Sequence, residues 1–247
     1  MKILLLDIET SPLTAYTWGL WNQNIPIKAI VDSGSVLCWA AKWLDQDEVM
    51  FSSILGGKKK MLQQMHKLLD TADCVVHYNG AKFDIPTLNK EFLLSYMSPP
   101  APYQQLDLLK TARKKFRFPS NKLDYVSQRL HLGKKEPHEG HTLWIKCMNG
   151  DKKAWQTMEK YNIQDVMLLE KLYKKLLPWI KQPLNVNLMK KDRNGWSCPT
   201  CGKDHLISKG FKYTNTGAYQ RYQCKACGAY SVDKRSVIPH ANLKHLA

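Results

Sequence analysis

Carboxylates are scarce in this chain. Its 247 residues hold 21 Asp and Glu against 37 Lys and Arg, a net charge of +16. An excess this large points to a polyanionic partner. No apolar run approaches the roughly 20 residues of a membrane span. The N-terminal run is too short for a signal peptide, so a cytoplasmic location is expected. There is no internal repeat and no low-complexity tract, and 44% hydrophobic residues exclude disorder as the default. Basic charge is densest at the end: from Lys190 onward the chain holds 11 Lys and Arg against 3 Asp and Glu.

With acids so few, their positions are informative. Lys2 to Leu6 read as a strand buried on both faces, and it runs directly into Asp7 and Glu9. Residues two apart on a strand share a face, and two adjacent carboxylates repel unless a cation lies between them. A hard divalent cation with oxygen ligands suits such a pair; a solvated acidic turn before Ser11-Pro12 is the simpler alternative. "DCVVHYNG" reads as a strand from Cys74 to Tyr78 entering an Asn-Gly turn. Asp84 follows just before Ile85-Pro86, either as a helix cap or as another metal ligand. Lys152 to Leu177 contains no Gly or Pro and repeats apolar residues at helical spacing. Tyr161 and Asp165, one turn apart, lie beside that apolar stripe.

The ordered set Asp7-x-Glu9, Asn79-x3-Phe83-Asp84 and Tyr161-x3-Asp165 resembles the DEDD superfamily of exonucleases. The tyrosine resembles its DEDDy branch, which includes the proofreading domain of family B DNA polymerases. The resemblance covers about residues 1 to 180. It implies an α/β RNase H-like fold, a mixed β-sheet flanked by helices, and 3′-to-5′ removal of nucleotides. It also implies two Mg²⁺ or Mn²⁺ ions. Asp7 would bridge both, Glu9 and Asp165 would complete one site, and Asp84 would hold the other. Two such ions about 4 Å apart suit phosphodiester hydrolysis. Tyr161 would orient the attacking water, because a phenol with a pKa near 10 is a poor base. By the same resemblance Thr10, Asn79 and Phe83 would touch the terminal nucleotides; a turn residue and a core aromatic are the simpler readings of the last two. The expected substrate is nucleic acid, DNA favoured, with single-stranded 3′ ends. An exoribonuclease and a catalytically silent end-binding protein are the alternatives. A chain this short leaves no room for a polymerase domain, so a proofreading role would need a separate polymerase or repair partner.

Seven cysteines divide in two groups. Cys38, Cys74 and Cys147 are isolated in apolar or helical contexts and read as buried thiols. Cys198, Cys201, Cys224 and Cys227 form two Cys-x2-Cys pairs, the spacing of a zinc ribbon holding one structural Zn²⁺. Disulfides compete on spacing but not in a reducing compartment. The segment between the pairs reads as a hairpin turning at Asn215-Thr216-Gly217. Its Lys209, Lys212 and Arg221 interleave with Phe211, Tyr213, Tyr219 and Tyr222. Those aromatics either stack on bases or form the ribbon's core. The module resembles zinc-binding ends of certain transposases. The expected layout is a nuclease domain over 1–183, a linker over 184–194, and the ribbon with its basic tail over 195–247.

Further strands are expected at Tyr16–Trp21, Val36–Trp43, Glu48–Phe51 and Tyr103–Asp107, with helices at Lys58–Leu69 and Lys122–His131. Pro137 and Gly140 make a loop of the "PHEGH" stretch around His138 and His141, without the spacing of a zinc protease. Arg113, Lys114, Lys115 and Arg117, interleaved with Phe116 and Phe118, are a candidate nucleic-acid groove.

Overall fold

The computed structural model describes residues 1–137, 139–181, 185–189 and 196–238. The chain divides into two compact units, Lys2–Leu172 and Tyr173 onward, Met1 grouping with the latter. The first unit runs β1 (Ile3–Thr10), β2 (Thr14–Ala15), β3 (Ile30–Asp32), β4 (Val36–Trp43), β5 (Met50–Ser53), α1 (Lys58–Thr71), β6 (Cys74–His77), α2 (Asp84–Leu94), β7 (Gln104–Asp107), α3 (Leu108–Lys115), α4 (Leu123–Arg129) and α5 (His141–Met148). The long helix α6 (Lys152–Leu176) follows.

Five strands form one mixed sheet in the order β5-β4-β1-β6-β7. β1 pairs antiparallel with β4 and parallel with β6, while β6 and β7 are parallel. Being central, β1 is apolar on both faces through Leu6, as a doubly covered strand must be. Leu4, Leu6 and Ile8 pack with Met61, Leu62 and Met65 of α1 and Leu88 and Phe92 of α2. A second cluster joins Leu37 and Cys38 of β4 to Leu143 of α5 and Trp155, Met158 and Tyr161 of α6. The expected α/β architecture with a mixed sheet flanked by helices is present.

Lys42 on β4 pairs with Glu170 on α6, and both are almost fully buried. Such a pair adds little net stability, but losing one partner would strand a buried charge at a cost of about 3–5 kcal/mol. The pair ties α6 to β4 five residues beyond Asp165.

Two local expectations differ. Tyr16–Trp21 is not a strand: only Thr14 and Ala15 pair, with Asp32 and Ile30, and the aromatic residues beyond them face solvent. Aromatic content favours strands only where a neighbouring strand supplies a pleated surface to pack on. The "PHEGH" loop ends sooner than expected, because Gly140 caps α5 at φ 65° and His141 opens the helix. His138 lies outside the described residues.

The second unit contains a three-stranded antiparallel sheet, β8 (Leu206–Tyr213), β9 (Ala218–Cys224) and β10 (Tyr230–Ser236), in the order β10-β9-β8. The hairpin turn is closed by Thr214 N–H donating to the Gly217 carbonyl at 2.9 Å. Of the expected linker, only 185–189 are described. There Asn187 donates through Nδ2 to the Ser197 carbonyl and accepts from the Ser197 hydroxyl, both at 2.6 Å.

Candidate active site

β1 delivers Asp7 and Glu9 to the face covered by α6. Asp165 reaches them from that helix, and ligand oxygens of the three carboxylates lie within 4.8 Å of one another. Asp84 approaches from the other side. β1 loses its register with β6 after Leu5, and the Ile8 N–H that this leaves free donates to Asp84 Oδ1 at 3.2 Å. Asp84 is therefore not the helix cap: Phe83 holds that position, and Asp84 is 4% exposed and turned to the central strand. The crevice beyond strand ends in an open α/β sheet is where such folds place their sites.

The surrounding groups hold these acids in position. Asn162 Nδ2 donates to Asp7 Oδ2 at 2.6 Å. The Trp144 indole N–H donates to Glu9. Lys135 pairs with Asp165 Oδ2 and donates to the Tyr161 hydroxyl at 3.0 Å. Asp165 Oδ1 is buried without a hydrogen-bond partner. A buried carboxylate oxygen left unpaired is costly, and a cation would satisfy it.

Burial raises all four carboxyls, Glu9 to about 8 and Asp84 to about 7. After burial, Asp165 adds most to the rise of Asp7 and of Glu9, by repulsion. Between the unfolded value near 4.5 and the folded value near 8, the native state binds the Glu9 proton more tightly than the unfolded chain. Metal-free stability must therefore fall as pH rises through that window. Glu9→Gln is expected to melt about 4 °C above wild type in EDTA at pH 9, with the gap closing toward pH 5. Saturating Mn²⁺ should reverse the order, because only the wild type keeps its full ligand set. A calorimetric pH series checks this; equal melting at pH 9 would remove the repulsion argument.

A cavity of about 670 Å³ opens on Asp7, lined also by Tyr161 and Lys135 and by Tyr78, Asn79, Arg113 and Lys122. Of the candidate basic cluster, Arg113 thus faces the site. Asn79 adopts a left-handed φ of 71°, and its N–H is anchored on Asp107 Oδ1 at 2.9 Å. Phe83 is 46% exposed, which excludes a core role. Thr10 lines a separate cavity of about 300 Å³ with Ser11, Pro12, Gly140, His141 and Trp144. Lys135, Trp144 and Asn162 were not anticipated. Asn162 had a signal, since it falls four residues after Met158 on the buried stripe of α6. Lys135 and Trp144 had none, because loop and short-helix residues reach a site through tertiary packing alone.

In the second unit the four thiols Cys198, Cys201, Cys224 and Cys227 cluster within 4.8 Å. The contacts Cys198–Cys227 and Cys201–Cys224 are 3.6 and 3.7 Å. A tetrahedral zinc–thiolate site with bonds near 2.3 Å implies edges of about 3.8 Å. Each Cys-x2-Cys pair is followed by a left-handed glycine, Gly202 at φ 76° and Gly228 at φ 74°. Their N–H groups close the turns onto the Cys198 and Cys224 carbonyls, both at 2.8 Å. Burial opposes charge on Cys224, yet the N–H groups of Cys227 and Ala226 bring its pKa down. This donor set fits a thiophilic cation such as zinc. Phe211 and Tyr213 are exposed, while Tyr219 and Tyr222 are half-buried.

The family B DNA polymerase from the hyperthermophilic archaeon Pyrobaculum calidifontis has a similar structure, with a TM-score of 0.55 at 17% identity over 72% of this chain. This chain covers 24% of that polymerase chain, and at such identity the likeness establishes the fold. No curated protein matches the sequence. Among the described residues no helix is long and apolar enough to cross a membrane. Residues 32–177 match the RNase_H superfamily, and with more than half its length so matched, the chain belongs to that superfamily.

Proposed function

We propose that this chain is a metal-dependent 3′-to-5′ exonuclease of the DEDDy type, acting on DNA ends and releasing nucleoside monophosphates. The observation that carries the reading is the meeting of Asp7, Glu9 and Asp165 within 4.8 Å, with one Asp165 oxygen unsatisfied. Asp7, Glu9 and Asp165 would hold one Mg²⁺ or Mn²⁺, and Asp7 with Asp84 a second. When bound, such ions lower the pKa of an attacking water and offset charge on the departing oxygen. Tyr161 keeps its proton, since burial and then Asp165 push the phenol above its ordinary value. Its hydroxyl therefore orients water and does not act as base. Lys135 fixes that hydroxyl and Asp165 together, while Arg113 and Lys122 supply positive charge along the cavity for the strand's phosphates. Thr10 lines one cavity and Asn79 the other, and exposed Phe83 precedes Asp84; all three would touch the terminal nucleotides. The four cysteines would hold a structural zinc, and the basic ribbon would add a salt-sensitive grip. DNA is favoured because a similar solved structure is that of a DNA polymerase.

The test uses 5′-labelled single-stranded DNA and matched RNA with Mg²⁺, Mn²⁺ or EDTA. A ladder shortening from the 3′ end, absent in EDTA, is expected, with DNA the better substrate. Faster loss of RNA would make the enzyme an exoribonuclease; an intact strand under every metal would leave an end-binding protein. Tyr161→Phe should slow the reaction about tenfold to a hundredfold at unchanged metal affinity. A fully active Phe variant would remove the positioning role.

A further inference from the structure

Between Pro12 and Asp32 the chain leaves the sheet as an arm and returns. Its root is clamped: Ser11 N–H donates to the Ser35 carbonyl at 2.9 Å, and Ser35 N–H to the Ser11 hydroxyl at 2.8 Å. Above the root, two short strands pair at Thr14–Asp32 and Ala15–Ile30, and the Tyr16 N–H donates to the Ala29 carbonyl at 3.0 Å. The tip presents large side chains to water. Trp18 is 105% exposed, Leu20 89%, Trp21 82% and Tyr16 79%. These side chains build no core, and so many bare apolar groups on one segment mark an interaction surface. The tip is nonetheless shaped by its own bonds, Thr17 Oγ1 to the Gly19 carbonyl at 2.6 Å and Gln23 Nε2 to the Trp21 carbonyl at 2.9 Å.

Charge and continuity identify the occupant. The 22 residues from Thr10 to Val31 contain no carboxylate, in a chain of net charge +16. Asn22, Gln23 and Asn24 set neutral amides beside the second indole. Lys28 is the arm's only cation, too little to hold an anionic membrane surface. At the root lies the cavity lined by Thr10–Pro12 and Trp144, and Trp144 is the residue that donates to Glu9. A strand leaving the carboxylates through that cavity therefore arrives at the arm. We infer that the arm holds unpaired bases of the nucleic acid whose end occupies the carboxylate site, stacking them on Trp18 and Trp21. The inference rests on the nuclease reading for the path of the strand. Stacking on aromatic faces tolerates any base and contributes about 1–3 kcal/mol each.

The test measures binding in EDTA of a twelve-nucleotide oligothymidylate and of a duplex of equal length. Trp18→Ala/Trp21→Ala should weaken single-strand binding at least about tenfold and leave the duplex, whose bases are already stacked, unaffected. Trp18→Phe/Trp21→Phe should restore most of the lost affinity. Both pairs of substitutions are at exposed positions, and a thermal melt checks that the fold is kept. Unchanged single-strand affinity in the alanine variant would overturn the inference, as would an equal loss for duplex. So would a wild-type dimer that the alanine variant loses while single-strand affinity stays the same; the arm would then bind a second copy. Wild-type protein with Mn²⁺ on the same strand separates the two readings. A strand held through the indoles but never shortened keeps the arm and removes the nuclease. Shortening with unchanged binding by the alanine variant does the reverse.

Discussion

Asp7→Ala is expected to reduce nuclease activity at least about a thousandfold while the protein stays folded. Asp7 feels the charges of Asp165, Asp84 and Glu9 together, so it sits at the electrostatic centre of the group. Any divalent ion held by these acids has Asp7 as a shared ligand in the proposed arrangement. Lewis-acid stabilisation is worth several kcal/mol, and each 1.36 kcal/mol is tenfold in rate, which sets the thousandfold scale. Stability should move little. Losing the Asp7 carboxylate leaves the Asn162 amide without its partner, a cost of about 1 kcal/mol, but it also removes the repulsion among buried acids. Degradation rates with Mn²⁺, paired with melts in EDTA and in Mn²⁺, check both halves. Wild-type melting that Mn²⁺ raises and Asp7→Ala melting that it does not would place the defect in metal binding. A variant within tenfold of wild-type activity would remove Asp7 from the centre of the mechanism.

The residues that were legible share one property: they contradict their local environment. Asp7 and Glu9 end a strand otherwise apolar on both faces, and Asp165 sits against the buried stripe of α6. Each asks for a compensating partner, and the pattern alone says so. Asp84 was ambiguous because a carboxylate beside the first turn of a helix looks the same whether it caps or ligates. Its hydrogen bond from Ile8, 76 residues away, turns the carboxylate away from the cap position, and sequence patterns do not carry that information. Lys135 illustrates the limit. In a chain with 37 Lys and Arg, one more lysine in a loop carries no signal. Only the packing of that loop onto α6 brings it to Tyr161 and Asp165. The Tyr16–Trp21 segment fails in the opposite direction: its residues favour a strand, but among the described residues the pairing with β3 stops at Ala15.

Cys224→Ser, or a strong chelator acting on the wild type, is expected to unfold the ribbon outright. Among the described residues, few apolar side chains are buried against its three strands. The buried cluster consists of Cys198, Cys224 and Ala229, with Cys201, Cys227 and Leu206 packed against it. A module this small and this poor in apolar residues needs a staple. Zinc binding to four thiolates supplies about 10–16 kcal/mol near neutral pH, which exceeds the stability of an ordinary domain. Metal analysis should find one zinc per wild-type chain and none in the variant. Trypsin should then cut at Lys209, Lys212, Arg221 and Lys225, sites that the zinc-bound ribbon protects by its strand pairing and turns. Fragments from Lys2–Leu172 should persist in both proteins, because that unit has its own core in the sheet and the helices covering it. Reductant without chelator distinguishes the other staple. Thiol contacts of 3.6 and 3.7 Å are far from a disulfide bond near 2.05 Å, so reductant alone should expose nothing. A ribbon that resists chelator but opens on reduction would be a disulfide module. One that resists both, with Cys224→Ser equally protected, would need a source of stability that the cluster of Cys198, Cys224 and Ala229 does not contain.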